Sequence, residues 1–253
     1  MDAATASRVP PLGPLELTGR ARSHVVELAD PRCVLHREVV GPWLALRAAA
    51  ARAGIDLLPG SSFRDFGQQL RIWNAKFRGE RALLDAAGEP LDAASMDEPS
   101  LVEAILHWSA LPGASRHHWG TEIDVIDAAA LPAGQRPALV PAEYAAGGVF
   151  ARLGAWLDAC AGEFGFYRPY DSYRGGVQPE PWHLSYAPVA RQAEALLTPE
   201  LLAEALAEAD LAGRDAVLAR LGDIHARYVR AVATPPKAVL VAALRISPAA
   251  SSS

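Results

Sequence analysis

"SRHHWGTEID" (Ser115–Asp124) places two adjacent histidines, a glycine and two acidic residues within ten positions. Its second half decides the local fold. In Thr121–Asp127, Ile123 and Val125 alternate with Glu122 and Asp124, the period-2 pattern of a strand with one apolar and one polar face. Asp124 and Glu122 then share the polar face. His117 lies seven residues before Asp124, and Gly120 between them permits the tight bend that lets both side chains turn toward one point. His118 is a rival to His117 on these grounds alone. Glu122 is left open between a supporting role and a solvated or ion-paired position.

Two ligands do not make a metal site. A catalytic zinc takes three protein ligands, usually histidine or carboxylate, and keeps one position open. "PEPWHLSY" (Pro179–Tyr186) offers a third histidine, His183, and a carboxylate, Glu180, able to take a proton from water. In a regular strand, residues three apart point to opposite faces. Glu180 and His183 therefore converge only if Pro181 and Trp182 bend the chain, or if Glu180 precedes the strand.

The two motifs together, Ser115-x-His117-x-x-Gly120-x-x-x-Asp124 and Glu180-x-Trp182-His183, resemble the zinc D-alanyl-D-alanine carboxypeptidases and dipeptidases, the group with the VanY-type and VanX-type enzymes. "SSFRDFGQQ" (Ser61–Gln69) adds to the likeness. It is similar to the family's Ser-Gly-Tyr-Arg segment followed by Gln five residues later, with Ser62 and Phe63 in place of Gly and Tyr. The resemblance spans roughly residues 35–190. It implies zinc as cofactor, with His117, Asp124 and His183 as ligands and Glu180 as the base. It also implies Arg64 as the group facing the developing oxyanion, and Ser115 and Gln69 as substrate contacts. The implied fold is the small α+β domain shared with the Hedgehog signalling domain. The implied reaction is removal of the terminal D-Ala from peptidoglycan stem peptides. An L-Ala-D-Glu endopeptidase, a D-Ala-D-Ala dipeptidase and a non-catalytic, zinc-bearing cell-wall-binding module are the alternatives that the same site allows.

The rest of the chain agrees with a globular protein. It has 253 residues, 51% of them hydrophobic, and a net charge of −5. Its positive charge is almost all arginine, with Lys76 and Lys237 the only lysines. No basic run suggests a nucleic-acid partner. No stretch has the roughly 18 apolar residues of a spanning helix. The first 23 residues show no basic segment followed by an apolar one, so no secretory signal is expected. The resemblance points to the cell envelope, and the missing signal leaves the cytoplasm open. Cys33 and Cys160, the only cysteines, exclude a cysteine-rich zinc site and leave open whether they pair. Ser-x-x-Lys, Gly-x-Ser-x-Gly and His-Glu-x-x-His are all absent, which removes the common serine and helical zinc schemes.

Local patterns complete the layout. Helices are expected over Val34–Ala53, after Asp65 to Phe77, over Ser100–Leu111 and over Val149–Ala161. Short strands are expected at Ile55–Leu58, Thr121–Asp127 and Pro181–Tyr186, with long loops at Arg78–Asp97 and Arg168–Pro179. From Pro188 the chain reads as helical to Ala233, and Thr234-Pro235-Pro236 breaks it. Helices mixed with short strands, without βαβ alternation, favour an α+β fold with a small antiparallel sheet flanked by helices. The expected division is an N-terminal arm (1–33), a zinc peptidase domain (34–197) and a helical C-terminal extension with a disordered tail (198–253). His24, His36, His107 and His225 lack a partner pattern and are expected to be structural. Trp119 and Trp182 are candidates for core and for pocket wall, with at least one in the core.

Overall fold

The computed structural model describes residues 11–86, 88–132 and 134–246. A short helix, α1 (Pro14–Leu17), precedes a hairpin of β1 (Val25–Ala29) and β2 (Arg32–His36). Then come α2 (Val40–Arg52), β3 (Leu57–Ser61) and α3 (Phe66–Phe77). A two-residue ladder of β4 (Leu83–Leu84) and β5 (Pro90–Leu91) is followed by α4 (Glu98–Leu106). After a 3₁₀ turn at Arg116–Trp119, β6 (Glu122–Asp127) crosses the molecule and leads to α5 (Pro141–Tyr144) and α6 (Ala151–Cys160). The strands β7 (Phe166–Tyr167) and β8 (His183–Tyr186) close the sheet. Four helices, α7 (Ala187–Leu196), α8 (Pro199–Leu206), α9 (Arg214–Ala219) and α10 (Leu221–Ile224), run into a π-helical turn at His225–Arg230 and then α11 (Lys237–Ile246).

The central sheet is antiparallel, in the order β3-β6-β8-β7. This is the expected α+β class with a small antiparallel sheet. Register positions the site. Asp124 is paired with Ser61 on one side and His183 on the other, and Glu122 is paired with Ser185. Opposed residues of antiparallel strands share a face, so Glu122, Asp124, His183 and Ser185 form one polar patch. Ile123, Val125, Leu184 and Tyr186 alternate onto the other face and enter an apolar core with Trp43, Leu46, Phe150 and Leu153. A second core joins α3 and α4 to the C-terminal helices. In it Trp73, Ile105 and Leu106 pack with Leu202, Leu206, Val217 and Ile224.

Several local expectations are met for visible reasons. Asp65 caps α3 through a reciprocal capping box with Gln68, and Pro99 sits in the first turn of α4. Other boundaries shift. Val34–His36, read as the start of the following helix, belongs to the strand Arg32–His36, because Cys33 and Leu35 alternate inward against β1. Pro59 and Ser61, read as a turn, belong to β3 and carry an irregularity in its pairing with β6. The helical run after Pro188 breaks where Thr198 caps a new helix beginning at Pro199, and again at Gly213. After the break at Thr234-Pro235-Pro236 the chain resumes as a further helix, Lys237–Ile246. The expected disordered tail from Ser247 lies outside the described residues.

The C-terminal helices are fastened to α4 by a cluster around Glu103. Its carboxylate accepts from Arg220, Arg227 and the Tyr228 hydroxyl at 2.8, 2.5 and 2.6 Å. Burial opposes ionisation of Glu103, but these three donors override it and bring its pKa from 4.5 to about 2. A carboxyl depressed in the folded state stabilises fully above its unfolded value, and the contribution is lost as pH falls toward the folded one. Thermal unfolding should therefore lose stability between about pH 4.5 and 2. Glu103→Gln should flatten that part of the profile, with a difference at neutral pH on the order of 1 kcal/mol because the cluster is partly exposed. An identical acid limb in wild type and variant would contradict this role.

Candidate active site

The site is assembled on the polar patch of the sheet. Gly120 ends the 3₁₀ turn in a left-handed conformation (φ 68°), and a Cβ there would lie 2.6 Å from the His36 amide nitrogen. That turn carries His117 over the sheet toward Asp124. Glu180 precedes β8, and a tight turn closed by the His183 amide donating to the Glu180 carbonyl (3.1 Å) brings the two side chains to one side. The structure thus takes the bent alternative of the two geometries open at Pro181-Trp182.

His117, Asp124 and His183 are buried, and one potential ligand atom from each lies within 4.8 Å of the others. The imidazoles are oriented from outside. His117 Nδ1 is 2.8 Å from the Ser62 carbonyl oxygen, which can only accept, so Nδ1 carries a hydrogen. Burial first, and Arg64 second, lower the His117 pKa and favour its neutral form. Nε2 then presents a lone pair toward Asp124 Oδ2, an acceptor 3.5 Å away. Two facing acceptors in a buried site call for a cation between them.

His183 is also held from outside the cluster. Its Nε2 donates to Glu122 Oε2 at 2.8 Å. Its Nδ1 faces Asp124 Oδ1 at 3.2 Å and Glu180 Oε2 at 3.1 Å. Asp124 Oδ1 is buried without a hydrogen-bond partner among the described residues. Burial opposes a charge on His183, yet the carboxylates of Asp124, Glu122 and Glu180 around it hold its pKa well above the ordinary value. Burial would likewise raise Asp124, but His117 and His183 pull it well below. The centre is rich in carboxylate, and two nitrogens and one carboxylate fit a zinc ion in donor type and number.

Glu122 is the residue whose role the sequence left open. It is fully buried. Besides His183 it accepts from Ser185 and Thr121 hydroxyls at 2.8 and 2.9 Å, and pairs with Arg116 Nε at 3.4 Å. Arg116 was not singled out by its sequence context. Its guanidinium is buried and also reaches Glu194, Tyr167 and Ser185 at 3.0–3.1 Å. Burial works to raise Glu122, but Arg116 and then His183 bring its pKa down to about 2. The only advance signal was the alternation that put Glu122 beside Asp124 on one face.

Glu180 is buried against the centre; burial raises its pKa above the ordinary value, with His183 opposing. Arg64 is partly exposed. Its guanidinium is held by the Ser61 hydroxyl (3.1 Å), Gln69 Oε1 (3.1 Å) and Asp124 Oδ2 (3.4 Å). Gln69, expected to touch substrate, has another place. It is fully buried, does not line the cavity, and its amide bridges Arg64 and the Ala110 carbonyl (2.7 Å). Ser115 lines the cavity. His118 points away from the ligand cluster: its Nδ1 bonds the Arg64 carbonyl at 2.6 Å and its Nε2 accepts from the Gly113 amide at 3.1 Å. Trp119 is core, with its indole N–H on the Leu17 carbonyl, whereas Trp182 lines the cavity. His24 and His225 bond backbone carbonyls. Cys33 and Cys160 are free thiols.

His117, Asp124, His183, Glu180, Arg64, Ser115 and Trp182 line one cavity of about 690 Å³, a volume suited to a small peptide. The loop before Glu180 forms part of the cavity wall and is held by the C-terminal segment. The Ala233 amide donates to the Pro169 carbonyl, and Arg227 Nε to the Gly175 carbonyl, both at 2.8 Å. A Cβ on Gly176 would lie 1.9 Å from the Arg227 carbonyl oxygen. Gly176→Ala should therefore destabilise the protein by about 1–3 kcal/mol. It should also speed amide hydrogen exchange at Gln178 and Glu180, whose N–H groups bond His107 and Tyr170 carbonyls. Unchanged exchange at both amides would contradict the clamp.

Comparison with known proteins adds a family. A model described as VanY, D-alanyl-D-alanine carboxypeptidase, matches residues 32–189. Two Haemophilus influenzae proteins without an assigned function are similar to the chain. One is 38% identical over 121 residues, covering 47% of this chain and 92% of the relative. The other is 45% identical over 103 residues, covering 40% and 70%. Among solved structures, VanYB in complex with D-alanine-D-alanine is 21% identical with a TM-score of 0.46, covering 73% of this chain and 89% of that one.

Proposed function

This chain belongs to the VanY family of D-alanyl-D-alanine carboxypeptidases, and from that premise we propose that it is a zinc-dependent peptidase that removes the terminal D-Ala from peptidoglycan stem peptides. The observation that carries the zinc reading is the pair of facing acceptors, His117 Nε2 and Asp124 Oδ2, beside His183 Nδ1. His117, Asp124 and His183 would hold the ion. Zinc bound there supplies Lewis-acid polarisation and makes a water molecule acidic enough to ionise near neutral pH.

The protein groups divide the remaining work. Glu180 stands 3.1 Å from His183 Nδ1 and borders the cavity. Its raised pKa suits a carboxylate that takes a proton from the attacking water and returns it to the leaving amine. Arg64, fixed by Ser61 and Gln69, turns N–H donors toward the centre, where negative charge develops on the scissile carbonyl oxygen. Gln69 acts here as a positioning residue. Ser115, on the cavity wall, contacts the peptide. Burial of the cluster keeps these charges poorly screened, so each acts more strongly than it would in water.

Two experiments test the reading. Zinc content and D-Ala release should be measured on a stem pentapeptide, with the free dipeptide and intact sacculi as parallel substrates. Wild type should bind one zinc and release D-Ala from the pentapeptide. Glu180→Ala should keep the zinc and lose at least about 10²-fold in rate. Full activity in that variant would exclude Glu180 as the base, and cleavage confined to the dipeptide or to another bond would replace the carboxypeptidase assignment. Glu122→Ala should weaken zinc binding about 10- to 100-fold by freeing the outer nitrogen of His183; an unchanged zinc affinity would remove Glu122 from the account.

A further inference from the structure

Three cationic side chains line the cavity: Arg64, Lys76 and Arg116. Two are already engaged. Arg116 is buried among Glu122, Glu194, Tyr167 and Ser185. Arg64 is held by Ser61, Gln69 and Asp124, against the ligand cluster. Lys76 makes no hydrogen bond or ion pair among the described residues, although it is half-buried and Glu89 and Glu180 line the same cavity.

Its position follows from α3. Gln69, Trp73 and Lys76 are spaced by four and three residues and share one helix face. Gln69 and Trp73 are fully buried on that face. Seven residues put the Lys76 Cα about 10 Å along the helix from Gln69, the residue that holds Arg64. A lysine side chain at this point looks onto the cavity beside the reacting centre. Its ammonium lies within electrostatic reach of both Glu180 and Arg64. Burial, then the neighbouring Arg81, lower its pKa to about 8, with Glu180 opposing. It remains mostly protonated at neutral pH.

We propose that Lys76 binds the free α-carboxylate of the substrate's terminal residue and so selects for a chain end. This rests on the carboxypeptidase reading and deepens it. An enzyme that removes one terminal residue must sense a carboxylate one residue beyond the scissile carbonyl, about 4 Å along the chain. Of the cavity's cations, only Lys76 makes no hydrogen bond or ion pair with a protein carboxylate among the described residues. A half-buried ammonium without a partner gains most from an anionic ligand, because the charge is already partly desolvated.

The test compares a diacetylated tripeptide ending in D-Ala-D-Ala with its C-terminal carboxamide, using the full chain loaded with zinc. Each kcat/KM is measured for wild type, Lys76→Met and Lys76→Arg, together with equilibrium binding of both peptides in a Glu180→Gln background. Wild type should favour the acid over the amide. Lys76→Met should collapse that preference by about 10- to 100-fold, mainly through KM, and Lys76→Arg should restore part of it. The same loss should appear in binding, where no turnover is needed. An acid-over-amide ratio that survives in Lys76→Met, or equal losses for both peptides, would overturn the proposal, as would no binding of the acid at all. If wild type released no D-Ala while Lys76 still governed acid over amide in binding, the carboxypeptidase reading would fall and the carboxylate site would stand.

Discussion

The bond from His183 Nε2 to Glu122 is the contact on which the site depends. It fixes the hydrogen on the outer nitrogen of a buried imidazole and leaves Nδ1 facing Asp124 and Glu180. Glu122 can stay ionised in that environment because Arg116 lies beside it, and Arg116 is held in turn by Glu194, Tyr167 and Ser185. A buried carboxylate without such support would take up a proton. The chain of charges therefore runs from a C-terminal helix, through the 3₁₀ turn, to the candidate ligand. Sheet register brings the members together: Glu122 opposes Ser185 and Asp124 opposes His183.

A second constraint comes from outside the sheet. The segment after residue 189, beyond the family match, shares a core with α3 and α4 through Leu202, Leu206, Val217 and Ile224. Its π-helical turn and the residues after it hold the loop that leads to Glu180. The same helices pack against α3, which carries Gln69 and Lys76. Both walls of the cavity are thus tied to this segment, one through its backbone and one through its core. The wall formed by α3 is rigid because Trp73 is fully buried and its indole N–H bonds the Ala212 carbonyl at 2.9 Å.

Much of this was legible in the sequence where local chemistry is strong. The alternation over Thr121–Asp127, the Asp65 cap and the position of Pro99 all correspond to elements of the fold. The convergence of His117, Asp124 and His183 was suggested by two short motifs more than fifty residues apart, and the structure brings those side chains together. What escaped was set by tertiary contact. Gln69 is indistinguishable from a substrate-facing residue in sequence, and only packing shows its amide turned to Arg64 and Ala110. Arg116 looks like any surface arginine until Glu122, Tyr167, Ser185 and Glu194, distant in sequence, close around it. His118 was a rival ligand by proximity alone; the 3₁₀ turn directs it to the Arg64 carbonyl instead. The β2 strand was masked by the helix that follows it, because alternation over five residues is short against a helical pattern.

The most direct measurement of the central claim is anomalous scattering at the zinc edge from crystals of the zinc-loaded protein. The account predicts one strong peak bounded by His117 Nε2, the Asp124 carboxylate and His183 Nδ1, with the outer nitrogens still on the Ser62 carbonyl and Glu122. A zinc ion held by other residues, or coordinated through His183 Nε2 with Glu122 displaced, would contradict it.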